Sequence, residues 1–254
     1  MVLINRLIPW VVSFLTLVLV EQIFLAPHQI QWLSGYLVAT IVLSIWQLTG
    51  RRLRSVKFWR YLMTPLLFTV IGLLFLSFLK ASFVRQIALL AYAIAVWVYL
   101  EIIFLRFNFR PKYQIHALEN IFTHLELVTV FLAATSFFAV SVFLGIQIWM
   151  VTVGFAVMVM LFSYQVVWTS DANFVAAWPY AAVVVLTMTE IFFAVGYLPT
   201  SVYVGGMIVG TSYYLITGLT RNWLLGNREW RVVQRYVYIS VAVVIATLTT
   251  ARWF

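Results

Sequence analysis

QIALLAYAIAVWVYLEIIFL, residues 86–105, is the stretch that decides the fold, because it is twenty residues long and almost wholly apolar. A transmembrane α-helix needs about 20 such residues to cross the hydrocarbon core of a bilayer. Further windows of similar length are bounded by charged residues, proline or aromatic residues that favour membrane interfaces. The sequence predicts nine spans, at 7–26, 31–49, 61–79, 86–105, 121–144, 146–168, 175–197, 201–219 and 233–251.

The composition of the whole chain supports this prediction. Of its 254 residues, 65% are hydrophobic and 9% are charged, whereas soluble domains carry roughly 25% charged residues. A soluble globular or disordered protein is therefore excluded, and the absence of cysteine excludes disulfides and thiolate ligands. We expect an all-α, polytopic transmembrane helix bundle forming a single integral membrane domain over residues 1–254. We expect a multi-pass protein of a cell membrane, of the bacterial inner-membrane kind.

Two features bear on the number and continuity of the spans. The window 233–251 contains Thr247, Thr249 and Thr250, but a chain of eight spans would need this window on the surface, where it has no polar face to present. Pro65 falls in the first turn of the window 61–79. Because proline is tolerated there, we expect no interrupted span centre.

Basic residues predict the orientation in the membrane. A cluster of five, Arg51, Arg52, Arg54, Lys57 and Arg60, separates the second and third spans, and such clusters mark cytoplasmic loops. The N-terminus is then cytoplasmic, and thirteen of the sixteen basic residues lie on that side. The net charge of +9 is thereby explained as a topology signal, and we expect no nucleic-acid partner.

Ionisable residues inside spans are costly and are therefore functional candidates. Glu190 lies deepest and could serve as a proton or cation site in a cavity. The alternative is a neutral carboxylic acid hydrogen-bonded to a neighbour, or an ion pair with Lys80 or Arg85. The full set of intramembrane carboxylates is Glu190, Glu21, Glu101 and Glu126.

Residues 108–126 form a predicted amphipathic juxtamembrane helix that leads into the fifth span. Helical periodicity places its polar side chains on one face. We interpret it as an interfacial helix, with a polar cavity or proton path at the cytoplasmic mouth as the alternative. His116 and His124 are too far apart to hold one metal ion alone, and we expect no metal. The stripe comprises His116, Glu119, Asn120, Thr123 and His124.

Residues 221–235 form a basic interfacial segment that we expect to contact anionic lipid headgroups on the cytoplasmic side. Phosphate recognition on a lipid-linked substrate is the alternative for its arginines, Arg221, Arg228, Arg231 and Arg235.

Gly206 and Gly210 form a GxxxG motif in the eighth span, with Gly218 two turns further on. Small residues at this spacing let helix backbones approach closely. We therefore expect a helix–helix contact on the side that carries these glycines.

No catalytic motif for acyl, phosphoryl or metal-assisted chemistry occurs in the chain, so we expect no cofactor and do not favour an enzyme. We favour a carrier of a small solute, ion or proton that uses intramembrane carboxylates. One alternative is a membrane enzyme or binder acting on a lipid-linked substrate at the cytoplasmic face. The other is a structural or accessory subunit. Expected partners are the lipid bilayer and a second copy or another membrane protein.

Overall fold

The computed structural model describes residues 2–50, 56–80, 82–108, 115–169, 174–224 and 229–251, and this part of the chain is helical. Nine helices in it are long and apolar enough to cross a membrane. The predicted all-α fold with nine spans, the ninth included, is confirmed. In chain order the helices are α1 (Val2–Leu25), α2 (Ile30–Leu48), α3 (Val56–Phe78), α4 (Ser82–Asn108), α5 (Ile115–Leu144), α6 (Ile148–Thr169), α7 (Phe174–Val195), α8 (Val202–Leu224) and α9 (Trp230–Thr250), with a 3-10 turn at Pro27–Gln29.

The chain divides into two compact units, Met1–Leu125 and Glu126–Phe254. The division falls within α5, which is one continuous helix. Each unit has its own set of packed helices, and the two are described separately.

In the first unit, α1 and α4 pack antiparallel in a regular register. The Ser13 hydroxyl donates to the Ala93 carbonyl at 2.9 Å, and the rings of Trp10 and Trp97 lie 4.8 Å apart. In each of these facing pairs, the residue number on α1 and the residue number on α4 sum to 106 or 107. Because this register repeats along the helices, it predicts which polar side chains of α1 and α4 share a level.

Pro65 lies deeper in its helix than the sequence suggested. Helix α3 begins at Val56, so Pro65 is its tenth residue, not a first-turn residue. Proline lacks the N–H that would bond the carbonyl four residues earlier, here that of Tyr61. The Tyr99 hydroxyl of α4 donates to this carbonyl at 2.6 Å. A side chain from the neighbouring helix therefore satisfies the acceptor that proline leaves free.

The core of the second unit is built on stacked aromatic rings. Phe192 of α7 stacks against Phe138 of α5 at 4.4 Å and against Phe155 of α6 at 4.3 Å. All three side chains are buried. These contacts join α5, α6 and α7 into one packed layer.

Glycines of α8 allow close contacts with two different helices. A Cβ on Gly206 would overlap the Thr135 hydroxyl oxygen, and one on Gly210 would lie 3.2 Å from Phe131 Cβ, both on α5. A Cβ on Gly218 would instead overlap the Tyr236 ring of α9. The expectation that Gly218 shares the side of Gly206 and Gly210 is wrong, because eight residues rotate the helix face by about 80° relative to Gly210.

Helix α9 is the peripheral helix of the second unit. It packs on α8, and only 6% of its apolar window is buried. Within the described residues, most of this helix therefore presents its side chains outward.

Candidate functional site

The four intramembrane glutamates have different surroundings, although the sequence presents them as one set. In the first unit, Glu21 is half-buried and accepts hydrogen bonds from Gln86 Nε2 at 3.1 Å on both carboxylate oxygens. Glu101 has one buried oxygen, Oε2, without a hydrogen-bond partner among the described residues. The antiparallel register of α1 and α4 places Arg6 of α1 opposite Glu101 of α4.

In the second unit the structure separates the remaining two carboxylates by burial. Glu190, the deepest candidate by sequence, lies on an exposed face of α7. Glu126 is 4% exposed and lies inside the unit. Because removing a carboxylate from water is costly unless other groups compensate, the surroundings of Glu126 define the candidate site.

Two residues of α8 interact electrostatically with Glu126. One is Arg221, in the last turn of α8. The other is Tyr213, which is 1% exposed. The Tyr213 hydroxyl is buried and has no hydrogen-bond partner among the described residues. The site therefore combines a carboxylate, a cation and a phenol that can still donate or accept a hydrogen bond.

Gln165 of α6 belongs to the same level. Gly154 of α6 faces Phe137 of α5, and extending this antiparallel register places Gln165 opposite Glu126. Its side chain is 1% exposed. The register thus assigns Gln165 to the level of Glu126, and we call Glu126, Gln165, Tyr213 and Arg221 the polar cluster.

The polar cluster lies toward the same end of the predicted apolar windows. Glu126 is the sixth residue of the window 121–144, and Gln165 lies three residues before the end of the window 146–168. Arg221 follows the window 201–219 by two residues. Glu126 and Gln165 are therefore buried in protein and close to the ends of the predicted spans.

Buried hydroxyl groups continue from Glu126 along α5 toward the centre of the span. Thr129 and Ser136 are both fully buried. The Ser136 hydroxyl donates to the Leu132 carbonyl at 2.7 Å, which leaves its oxygen available as an acceptor. Ser163 of α6 is also buried, and its hydroxyl has no partner among the described residues. The buried face of α5 thus carries hydroxyl oxygens beyond the carboxylate.

The remaining candidates are only partly placed. Thr123 is half-buried and His124 is exposed, while the side chains of His116, Glu119 and Asn120 lie outside the described residues. Arg231 and Arg235 are exposed on α9, and Arg228 lies outside the described residues. In the described part of the chain, no group of three or more histidines and carboxylates could hold a metal ion.

Sequence reasoning did not identify Gln165 or Tyr213. Gln165 carries an amide inside an apolar span. A buried amide needs hydrogen-bond partners, as a carboxylate does, so Gln165 could have been selected from the sequence together with the glutamates. Tyr213 is one of the aromatic residues grouped with the hydrophobic ones in the composition, so its position beside Glu126 becomes visible only once α8 is packed against α5. Comparison of the chain with family models, curated proteins and solved structures found no match.

Proposed function

We propose that the chain is a carrier of a small cation or proton and that Glu126 is the group that binds it. The observation that carries the proposal is the burial of the Glu126 carboxyl, at 4% exposure, inside one of the nine apolar helices long enough to cross a membrane. An ionisable residue in such a position is by default a functional candidate.

The other members of the polar cluster fit this role. Arg221 supplies a positive charge that can balance the carboxylate when the site is empty. The Tyr213 hydroxyl and the Gln165 amide supply neutral ligands for a bound cation or proton. The hydroxyls of Thr129 and Ser136 extend the polar face inward. Transfer of an ion would therefore begin at the polar cluster and continue along α5.

The competing explanation is a purely structural ion pair between Glu126 and Arg221. Buried pairs of this kind often contribute little to stability compared with apolar replacements. If the pair is structural, Glu126→Gln should lower the stability of the protein and leave its transport rate unchanged. If Glu126 binds the transported ion, Glu126→Gln should abolish transport while the protein still folds.

The test is ion flux into vesicles that contain the purified protein. Proton influx is followed with an entrapped pH-sensitive dye after a potassium diffusion potential is imposed, and sodium or potassium uptake is measured in parallel with radioactive tracers. We expect flux above that of protein-free vesicles, and we expect Glu126→Gln to reduce it to the protein-free level.

Glu190→Gln is the matched control, because it makes the same chemical change on an exposed face of the same unit. It should keep the wild-type flux. The proposal is rejected if the wild-type protein transports none of these ions, or if a folded Glu126→Gln protein transports as fast as the wild type.

The cellular location and the orientation belong to the same proposal. The predicted cytoplasmic loops carry most of the basic residues, which supports a cell membrane with the N-terminus inside. On that orientation the polar cluster lies toward the cytoplasmic ends of α5, α6 and α8.

A further inference from the structure

An apolar groove runs along the outer side of the second unit, between α5, α8 and α9. Its volume is about 450 Å³, within the range of about 300–1,000 Å³ that is usual for ligand pockets. The walls are formed mainly by Leu127, Val128, Phe131, Met207, Ile239 and Val243. The groove is distinct from the polar cluster, because Glu126 is buried inside the unit whereas Val128 and Ile239 are exposed.

One end of the groove is polar and basic. Tyr214 of α8 lines the groove, and its hydroxyl interacts electrostatically with Arg235 and with Tyr236. The rings of Tyr214 and Tyr236 lie 5.0 Å apart, and Asn222 Nδ2 donates to the Tyr236 hydroxyl at 3.5 Å. Arg235 is exposed, so its charge is available to a ligand at this end.

We propose that this groove binds one acyl chain of an anionic phospholipid, with the lipid phosphate at Arg235 and the Tyr214 hydroxyl. The size favours a single hydrocarbon chain over a partner helix, since a 20-residue helix about 10 Å wide and 30 Å long occupies more than about 2,000 Å³. The charge favours an anionic headgroup, which basic residues at membrane surfaces attract.

Native mass spectrometry of the detergent-solubilised protein tests this proposal with added phosphatidylglycerol or phosphatidylcholine of identical acyl chains. We expect one phosphatidylglycerol retained per chain, in preference to phosphatidylcholine. Arg235→Gln should lower this preference about fivefold. Arg6→Gln removes an exposed charge in the first unit and should leave the preference unchanged.

The acyl-chain contact is tested separately by filling the groove. Val243→Phe should reduce retention of both lipids, whereas Val241→Phe, an exposed position on the same helix that does not line the groove, should not. If Val243→Phe does not fold, Val128→Phe fills the groove from α5. Glu126→Gln should retain the lipid, so the outcome is separable from the fate of the transport proposal.

Three outcomes overturn the lipid site. The first is equal retention of the two lipids by the wild-type protein. The second is equal lipid retention by Val243→Phe and Val241→Phe. The third is a dimer in the native mass spectrum of the wild-type protein that Val243→Phe abolishes while lipid binding stays unchanged, which would assign the groove to a second copy of the chain.

Discussion

Proline at position 65 shows how a single residue is accommodated inside a membrane helix. Its missing N–H leaves the Tyr61 carbonyl without its helical donor, and the Tyr99 hydroxyl replaces that donor from α4. In lipid no water is available to do so, and an unsatisfied carbonyl would be costly. Tyr99 is therefore an element of helix stability as well as of helix packing.

A double-mutant cycle tests this account. Tyr99→Phe should lower the free energy of unfolding by about 1–3 kcal/mol, because it removes the hydrogen bond that the Tyr99 hydroxyl donates to the Tyr61 carbonyl. In a Pro65→Ala background the new N–H of residue 65 can bond Tyr61, so the same substitution should cost much less. Denaturation in mixed micelles measures both costs. Equal costs in the two backgrounds would refute the compensation.

The sequence identified part of the candidate site at this scale. It selected Glu126 because charge inside an apolar run is visible in one dimension. It ranked Glu190 above Glu126 because depth along a span can be read from the sequence, whereas the face of the helix that meets other helices cannot. The structure orders them by burial instead, and it adds Gln165 and Tyr213.

At the scale of the elements, the contact between α5 and α8 depends on glycine. The backbone of α8 approaches Thr135 so closely at Gly206 that a methyl group there would meet both its side chain and its backbone nitrogen, the latter at 3.1 Å. Close approach through small residues is a common way for helices to associate in lipid, where the hydrophobic effect does not favour helix–helix association.

Gly206→Ala should therefore lower the free energy of unfolding by about 1–3 kcal/mol through overpacking. Gly35→Ala is the matched control, because a Cβ there would meet nothing within 4 Å. Because Gly35 lies in the interior of α2, Gly35→Ala should be neutral or should stabilise the protein by about 0.5–1 kcal/mol. A Gly206→Ala protein as stable as the control would show that this contact tolerates a larger residue.

Helix ends were predicted less closely than helix existence. The window 121–144 became part of a helix that begins at Ile115, and 61–79 became part of one that begins at Val56. Hydropathy detects the length of chain that lipid can cover, whereas a helix continues for as long as its backbone hydrogen bonds can form. This difference placed Pro65 at a helix start in the sequence and inside a helix in the structure.

At the scale of the whole molecule, nine spans follow from the sequence because bilayer thickness sets the length of each apolar run. The division into two compact units did not follow, because the choice of helix neighbours depends on packing of side chains along faces. The antiparallel registers of α1 with α4 and of α5 with α8 are fixed by such contacts, including Ser13 with Ala93 and Gly206 with Thr135.

The central claim is that Glu126 alone, among the four intramembrane glutamates identified in the sequence, carries the transported ion. It is tested most directly by ion flux through the triple variant Glu21→Gln, Glu101→Gln, Glu190→Gln, which keeps only Glu126 of that set, measured beside the single variant Glu126→Gln. We predict that the folded triple variant retains the flux of the wild type and that the single variant loses it. Either wild-type flux in the folded Glu126→Gln protein or loss of flux in the folded triple variant would contradict the account.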